Sequence, residues 1–278
     1  MIGIKIITAL IAVISLANSL IIKKCVRDKE IALTFEDGPS IKTTSKLLNL
    51  LDSLNVKATF HVVTKHFNYD QVPKLISEII SRGHVIGYRL EAEWTMQDIT
   101  KDGIQGAVDY RLEMIKKACG KKPKFVRTSY NATDLVKDAL LASNLIITVP
   151  NFESYDYKPE FNIESMLNRF DSLSLGSVIT VQREFANNLL ETTEIFVAHL
   201  RSRNYKIVTL QECTGIEEIY SNEKGISSMI ISHEDSDVNN NGSNSTTSST
   251  ASSGGVISLP PKLLPNLLIT MAMIMIIL

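Results

Sequence analysis

Only three cysteines, Cys25, Cys119 and Cys213, occur in 278 residues. They permit at most one intrachain disulfide and leave one thiol over, which excludes a disulfide framework as the source of the fold. The core must therefore be hydrophobic. Charge of one sign is equally scarce, since 29 lysines and arginines face 30 aspartates and glutamates. That balance removes the bulk attraction on which nucleic-acid binding rests, so no nucleic-acid partner is expected. No repeat of fixed period is present, which argues against a solenoid.

Long apolar runs stand at the two ends. Residues 1–19, "MIGIKIITALIAVISLANS", combine one lysine, an apolar run and small residues around Ala17 and Ser19, the layout of a secretory signal peptide. A signal anchor is the alternative; the short run and small-residue exit favour cleavage. Residues 216–255 include "SDVNNNGSNSTTSSTASSGG", a Ser/Thr/Asn/Gly-rich stalk too polar to bury a core. Residues 256–278, "VISLPPKLLPNLLITMAMIMIIL", then form a hydrophobic tail behind the small residues Ser252, Ser253 and Gly254. This is the pattern of a glycosylphosphatidylinositol attachment signal. A plain membrane helix is the alternative, but Pro260, Pro261 and Pro265 cut the run below the roughly 20 residues a span needs. The expectation is a protein secreted to the cell surface or cell wall and lipid-anchored to the plasma membrane. Sequons at Asn131, Asn241 and Asn244 fit a glycoprotein in that compartment.

Between about residues 28 and 215, short apolar runs alternate with helical patterns, which predicts βα units around a parallel sheet or barrel. "EIALTF", "VKATFHVV", "HVIGY", "KFVRTSY", "LIITVPN", "GSVITVQ" and "YKIVTL" read as strands. "TTSKLLNLLDSL", "VPKLISEIISRG" and "GAVDYRLEMIKKACG" read as amphipathic helices, the last two closed by Gly83 and Gly120.

In order along this segment, "IALTFEDGPS", "VKATFHVV", "GHVIG", "GKKPKFVRTSY", "ESYDY", "GSVIT" and "YKIVTLQEC" resemble the landmarks of the NodB-homology polysaccharide deacetylases, carbohydrate esterase family four, which includes chitin and peptidoglycan deacetylases. The resemblance implies an α/β fold, a distorted (β/α) barrel with its site at the carboxyl ends of the strands. It also implies hydrolysis of an acetamide by water on a divalent metal such as zinc, which lowers the water's pKa and polarises the carbonyl. In that family one aspartate of "TFDDGP" is the base and the other a ligand, two histidines four residues apart complete the ligand set, and a later histidine protonates the leaving amine.

Carried over residue by residue, Glu36 takes the base position and Asp37 the ligand position. Glutamate is one methylene longer than aspartate, and a displacement of about 1 Å can cost roughly a hundredfold in rate. In "GHVIGYRLEAE", Arg89 and Glu93 replace the ligand histidines and Tyr88 replaces an asparagine. Arginine cannot ligate a cation. His84 reads as structural. In "RTSYN" the family's Arg127 and Tyr130 persist, while Thr128, Ser129 and Asn131 replace two prolines and a glycine. "ESYDY" keeps Asp156, which tunes the catalytic residues in the family. "TVQR" places Gln182 at the proton donor and Arg183 at the acid after it, and an amide is no general acid.

His61, His66, His199 and His233 lie outside the motifs, and Trp94, Tyr155 and Tyr157 are wall residues or sugar-stacking candidates. Tyr130 and Tyr155 are the expected glycan-groove residues. With three catalytic histidines replaced, Arg89 is expected to sit in the metal's place against Asp37 and Glu93, where unrelieved carboxylates would repel. No metal or other cofactor is then expected. The favoured reading is an inactive, glycan-binding or coat-forming relative whose partner is chitin or another acetylated polysaccharide. An active deacetylase with an all-oxygen cage of Glu36, Asp37, Glu93 and Asp156, and a structural scaffold for protein partners, are the alternatives.

Overall fold

A computed structural model describes residues 21–91 and 100–221 of the chain. The segments expected as signal peptide, stalk beyond residue 221 and hydrophobic tail lie outside the described residues, as do Glu93, Trp94, His233, Asn241 and Asn244.

Among the described residues the strands are β1 (Ile21–Ile22), β2 (Glu30–Ala32), β3 (Thr34–Glu36), β4 (Thr59–Val62), β5 (Val85–Arg89), β6 (Phe125–Arg127), β7 (Ile146–Thr148), β8 (Phe152–Glu153), β9 (Val178–Arg183) and β10 (Lys206–Val208). Their spatial order is β1-β7-β6-β5-β4-β3-β9-β2-β10, with β8 beside β9. Every named pair is parallel. Between the strands run α1 (Thr44–Ser53), α2 (Gln71–Ser81), α3 (Lys101–Cys119), α4 (Asp134–Ala142), α5 (Ile163–Ser172), α6 (Leu189–Ser202) and the short α7 (Leu210–Thr214). The architecture is the distorted (β/α) barrel, and it extends past residues 28–215 to take in β1 and a bridge from Pro123 to Tyr220.

The helices follow from their apolar stripes. In α2, Val72, Leu75, Ile76 and Ile79 are buried at helical spacing, and the chain leaves through Gly83 at φ 80°, a left-handed conformation that suits glycine. In α3, Thr100 caps the amino end by accepting from Gly103 N, and Gly120 closes the other end at φ 71°.

"EIALTF", expected as one strand, is broken at Leu33. Its first half pairs with β10 and β9, its second with β4 and β9. Two hydroxyls substitute for the interrupted ladder: Thr180 Oγ1 donates to Ala32 O at 3.1 Å, and Thr34 Oγ1 donates to Thr180 O. The change of partners bends the sheet toward closure.

Side-chain alternation then builds two cores. Facing the helices, Phe35, Phe60, Ile86, Tyr88 and Val126 join one large buried cluster. Facing the other way, Ala32, Val85, Phe125, Ile146 and Ile179 form a second cluster with Val208, Leu210 and the Cys25–Cys213 disulfide. That bridge closes a sequence separation of 188 residues, and such links typically contribute about 2–4 kcal/mol. Cys119 is the remaining thiol. Among the described residues no helix is long and apolar enough to cross a membrane.

Candidate functional site

The inner face changes character toward the carboxyl ends of the strands. Parallel register sets Glu36 of β3 beside His61 of β4 and Arg183 of β9, His61 beside Gly87 of β5, and Arg89 of β5 beside Arg127 of β6. Glu153, the last residue of β8, lies opposite Val181, two residues before Arg183 on β9. Strand ends that converge in a barrel thus bring three arginines onto one carboxylate.

Glu36 is buried, 3% exposed. Arg89 Nε lies 3.2 Å from its Oε2 and 3.7 Å from Asp37 Oδ1. Arg183 engages three carboxylates: Nη1 meets Glu36 Oε1, Nε lies 3.3 Å from Asp37 Oδ2, and Nη2 lies 3.2 Å from Glu153 Oε1. Arg127 Nη1 stands 4.0 Å from Glu36 and donates to Thr34 Oγ1 at 2.8 Å. The second Glu153 oxygen accepts from Tyr130 OH at 2.7 Å. Two acids and a third behind them are therefore matched by three guanidiniums. Removing one partner of such a buried group costs more than the pairing itself contributes.

Burial raises the Glu36 carboxyl above its ordinary range, against the pull of Arg127, Arg89 and Arg183. Burial also lowers Arg127 to about 10. For Arg183 burial works against the charge, but Glu36, Glu153, Asp37 and Asp156 together hold its pKa above the ordinary guanidinium value. Asp156 accepts from Arg183 N at 2.9 Å, and burial lifts it to about 6. His61 is fully buried and held well below its ordinary pKa by burial and by Arg127 and Arg89, so it is neutral. Its Nε2 meets Thr148 Oγ1 at 3.1 Å. Gly87 leaves room for that ring: a Cβ there would stand 2.7 Å from His61 Cδ2.

Two cavities flank Arg183. One, of about 600 Å³, is lined by Asp37, Asp156, Tyr157, Phe161, Phe185 and Asn188 among others. The second, of about 340 Å³, is lined by Glu36, Arg89, Arg127 and Tyr130 with Lys23 and Lys137 at its rim. Arg183 lines both.

Several expectations need correction. Arg89 pairs first with Glu36 and only more distantly with Asp37, because Glu36 ends a strand two places from Arg89 in the sheet. Gln182 is not in the site. Its Nε2 donates to Thr193 Oγ1 of α6 at 3.3 Å, because alternation turns it to the helix layer and turns Arg183 inward. Tyr155 does not line either cavity; Lys158 and Arg169 lie over its ring at 4.7 and 4.8 Å. Tyr157 lines the larger cavity instead. Asn131 is exposed in the turn before α4. His84 is structural as expected, its Nδ1 accepting from Ala58 N at 3.1 Å away from the site. Arg183, read in the sequence only as the replacement of a motif acid, Glu153 and His61 were not offered there as site residues. Strand alternation from Glu36 was the available signal for the first and third.

A divalent ion does not fit the residues described. Arginine stands where the family has its first ligand histidine, both carboxylate positions already hold guanidinium partners, and among the described residues no three His, Cys, Asp or Glu side chains group to hold a metal.

The family model described as polysaccharide deacetylase matches residues 23–144. A peptidoglycan-N-acetylglucosamine deacetylase of Bacillus cereus is 27% identical over 188 residues, 65% of this chain and 66% of its own length. The chain spans 32% and 41% of the next curated relatives, which are longer. Among solved structures, the chitin deacetylase of Colletotrichum lindemuthianum superposes with a TM-score of 0.65 at 24% identity, covering 72% of this chain and 95% of that one. A carbohydrate esterase family four pseudoenzyme of Bacillus anthracis superposes with a TM-score of 0.61 at 16% identity, covering 69% and 68%. With the ordered motifs and the barrel, these matches make residues 23–144 similar to the polysaccharide deacetylase model and give the chain the fold of the chitin and peptidoglycan deacetylases.

Proposed function

We infer that this chain is a surface glycan-binding member of the polysaccharide deacetylase family that does not hydrolyse acetamides. The observation that carries this reading is the clamp of Arg89 and Arg183 on Glu36 and Asp37. Two guanidiniums neutralise the carboxylates that would hold a cation, so no activated hydroxide forms between them. Nor is there a replacement acid: Gln182 faces the helix layer, and neutral His61 is enclosed behind Glu36.

What survives is a groove. The cavity of about 600 Å³ combines exposed rings of Tyr157 and Phe185 with the side chains of Asn187, Asn188 and Asp156, a mixture that stacks on sugar faces and bonds their hydroxyls. Chitin-type acetylated polysaccharide is the ligand class, by analogy with the deacetylases to which the chain is similar. A cell-surface location draws on the leader and tail patterns of the sequence, and the Cys25–Cys213 bridge is in keeping with an oxidising compartment.

The test is acetate release from chitin oligomers with added zinc or cobalt, beside retention of the protein on insoluble chitin. Retention without acetate is expected. Acetate release abolished by Glu36→Ala would establish a rebuilt, active site, and absence of both would leave a scaffold for protein partners.

A further inference from the structure

Arg127 is the most enclosed charge of the site, 2% exposed, yet it is incompletely used. Nη1 is bonded to Thr34, whereas Nε and Nη2 have no hydrogen-bond partner. Burying guanidinium N–H groups without acceptors is costly, and a ligand that supplies acceptors recovers that cost. Arg127 lines the cavity of about 340 Å³, together with Arg89, Arg183, Lys23 and Lys137. Against these five cations the lining holds one carboxylate, Glu36, already shared by Arg89 and Arg183. Behind the lining, Asp37 pairs with Arg89 and Arg183, Glu153 with Arg183 and Asp134 with Lys137, so four carboxylates in all meet the five cations and an excess of one positive charge remains. Ser129 and Tyr130 add hydroxyls to the wall, and Ile147, Val149 and Pro150 add apolar surface.

We propose that this cavity binds an oxyanion carried by a sugar, either a uronate carboxylate or a sulfate ester, with Arg127 turning its enclosed, unpartnered N–H groups toward the ligand. A guanidinium fork matches a planar carboxylate or two oxygens of a sulfate, and the lysines at the rim draw the anion in. The carrier is a sugar because Arg183 forms a wall of both cavities, so a glycan in the larger groove places a substituent of its neighbouring unit in the smaller one. In that respect alone the proposal rests on the glycan-binding reading. It narrows the ligand from a neutral acetylated polymer to an acidic one.

Hyaluronan tetrasaccharide and chitin tetramer share N-acetylglucosamine and differ in the uronate, which makes them a suitable pair for calorimetric titration of the full chain. The acidic oligomer should bind at least about tenfold tighter, as expected for one charge-assisted pair. That preference should shrink in high salt, in Lys23→Ala/Lys137→Ala and in Arg127→Lys, which keeps the charge but loses the fork. N-acetylglucosamine 6-sulfate tells the two oxyanions apart; tighter binding of either acidic sugar over the neutral one supports the site. Equal binding of the acidic and neutral oligomers would overturn the oxyanion site and leave the glycan reading standing. Binding of inorganic sulfate with no saccharide bound would overturn the sugar carrier and the glycan reading together.

Discussion

At the amino-terminal end of the barrel the inner face is apolar, with Val85, Phe125, Ile146 and Ile179 packed beside the Cys25–Cys213 bridge. At the carboxyl end the same strands carry Glu36, Arg89, Arg127 and Arg183. The first end requires volume and apolarity, so substitutions of similar size are tolerated one at a time. The second requires charge balance. A lone arginine among carboxylates suited to a cation, or lone carboxylates without one, would each leave an uncompensated buried charge. The acidic and basic positions of the site are therefore coupled, and Arg89 and Arg183, the two guanidiniums read as replacements, sit on Glu36 beside the retained Arg127.

Perturbing each end separately should expose the difference. Phe125→Ala at the apolar end should cost about 4 kcal/mol in chemical denaturation, the usual range for deleting a buried ring. A loss under about 1 kcal/mol would mean that this end is not a packed core. Glu36→Ala at the charged end should cost about 3 kcal/mol by stranding Arg127 and removing one of Arg183's three carboxylates, and removing Arg183 as well should cost less than the sum of the two single changes. Strict additivity would show that the two side chains do not share a network.

Asp156 sharpens the comparison through pH. Its carboxyl is raised from an ordinary 3.8 to about 6, with burial the first cause, so the folded chain retains a proton that the unfolded chain has lost. That contribution is fully present below pH 3.8 and is lost as pH rises through about 6. Asp156→Asn should therefore remove roughly 2 kcal/mol of this decline between those limits, measured as the difference in unfolding free energy at the two pH values. An unchanged slope would assign the decline to other groups. Tyr155→Ala should have the smallest effect, a loss of stability below about 1 kcal/mol with chitin retention intact, whereas Tyr157→Ala should weaken retention. The reverse order would restore Tyr155 to the groove.

Strand and helix order was legible because alternation and helical stripes are local, and the ordered motifs around Glu36, Asp37, Arg89, Arg127 and Asp156 marked the right end of the barrel. The helices α4 to α6 were not named, since "DLVKDALLA", "IESMLNRFDS" and "LLETTEIFVAHLRS" interrupt their stripes with charge. The break at Leu33 was hidden because partner exchange is a tertiary event. Gln182 was misplaced for a different reason: motif alignment fixes position to within a residue, whereas a strand reverses its facing at every residue. Arg183 and Glu153 meet only when β8 and β9 are laid side by side, a long-range pairing with no local signature.

The most direct measurement is the zinc content of the native full-length chain after exposure to zinc and exhaustive dialysis, read by elemental mass spectrometry. Guanidiniums seated on Glu36 and Asp37 should leave it far below one ion per chain. A stoichiometric ion that disappears in Asp37→Ala would contradict the arginine clamp.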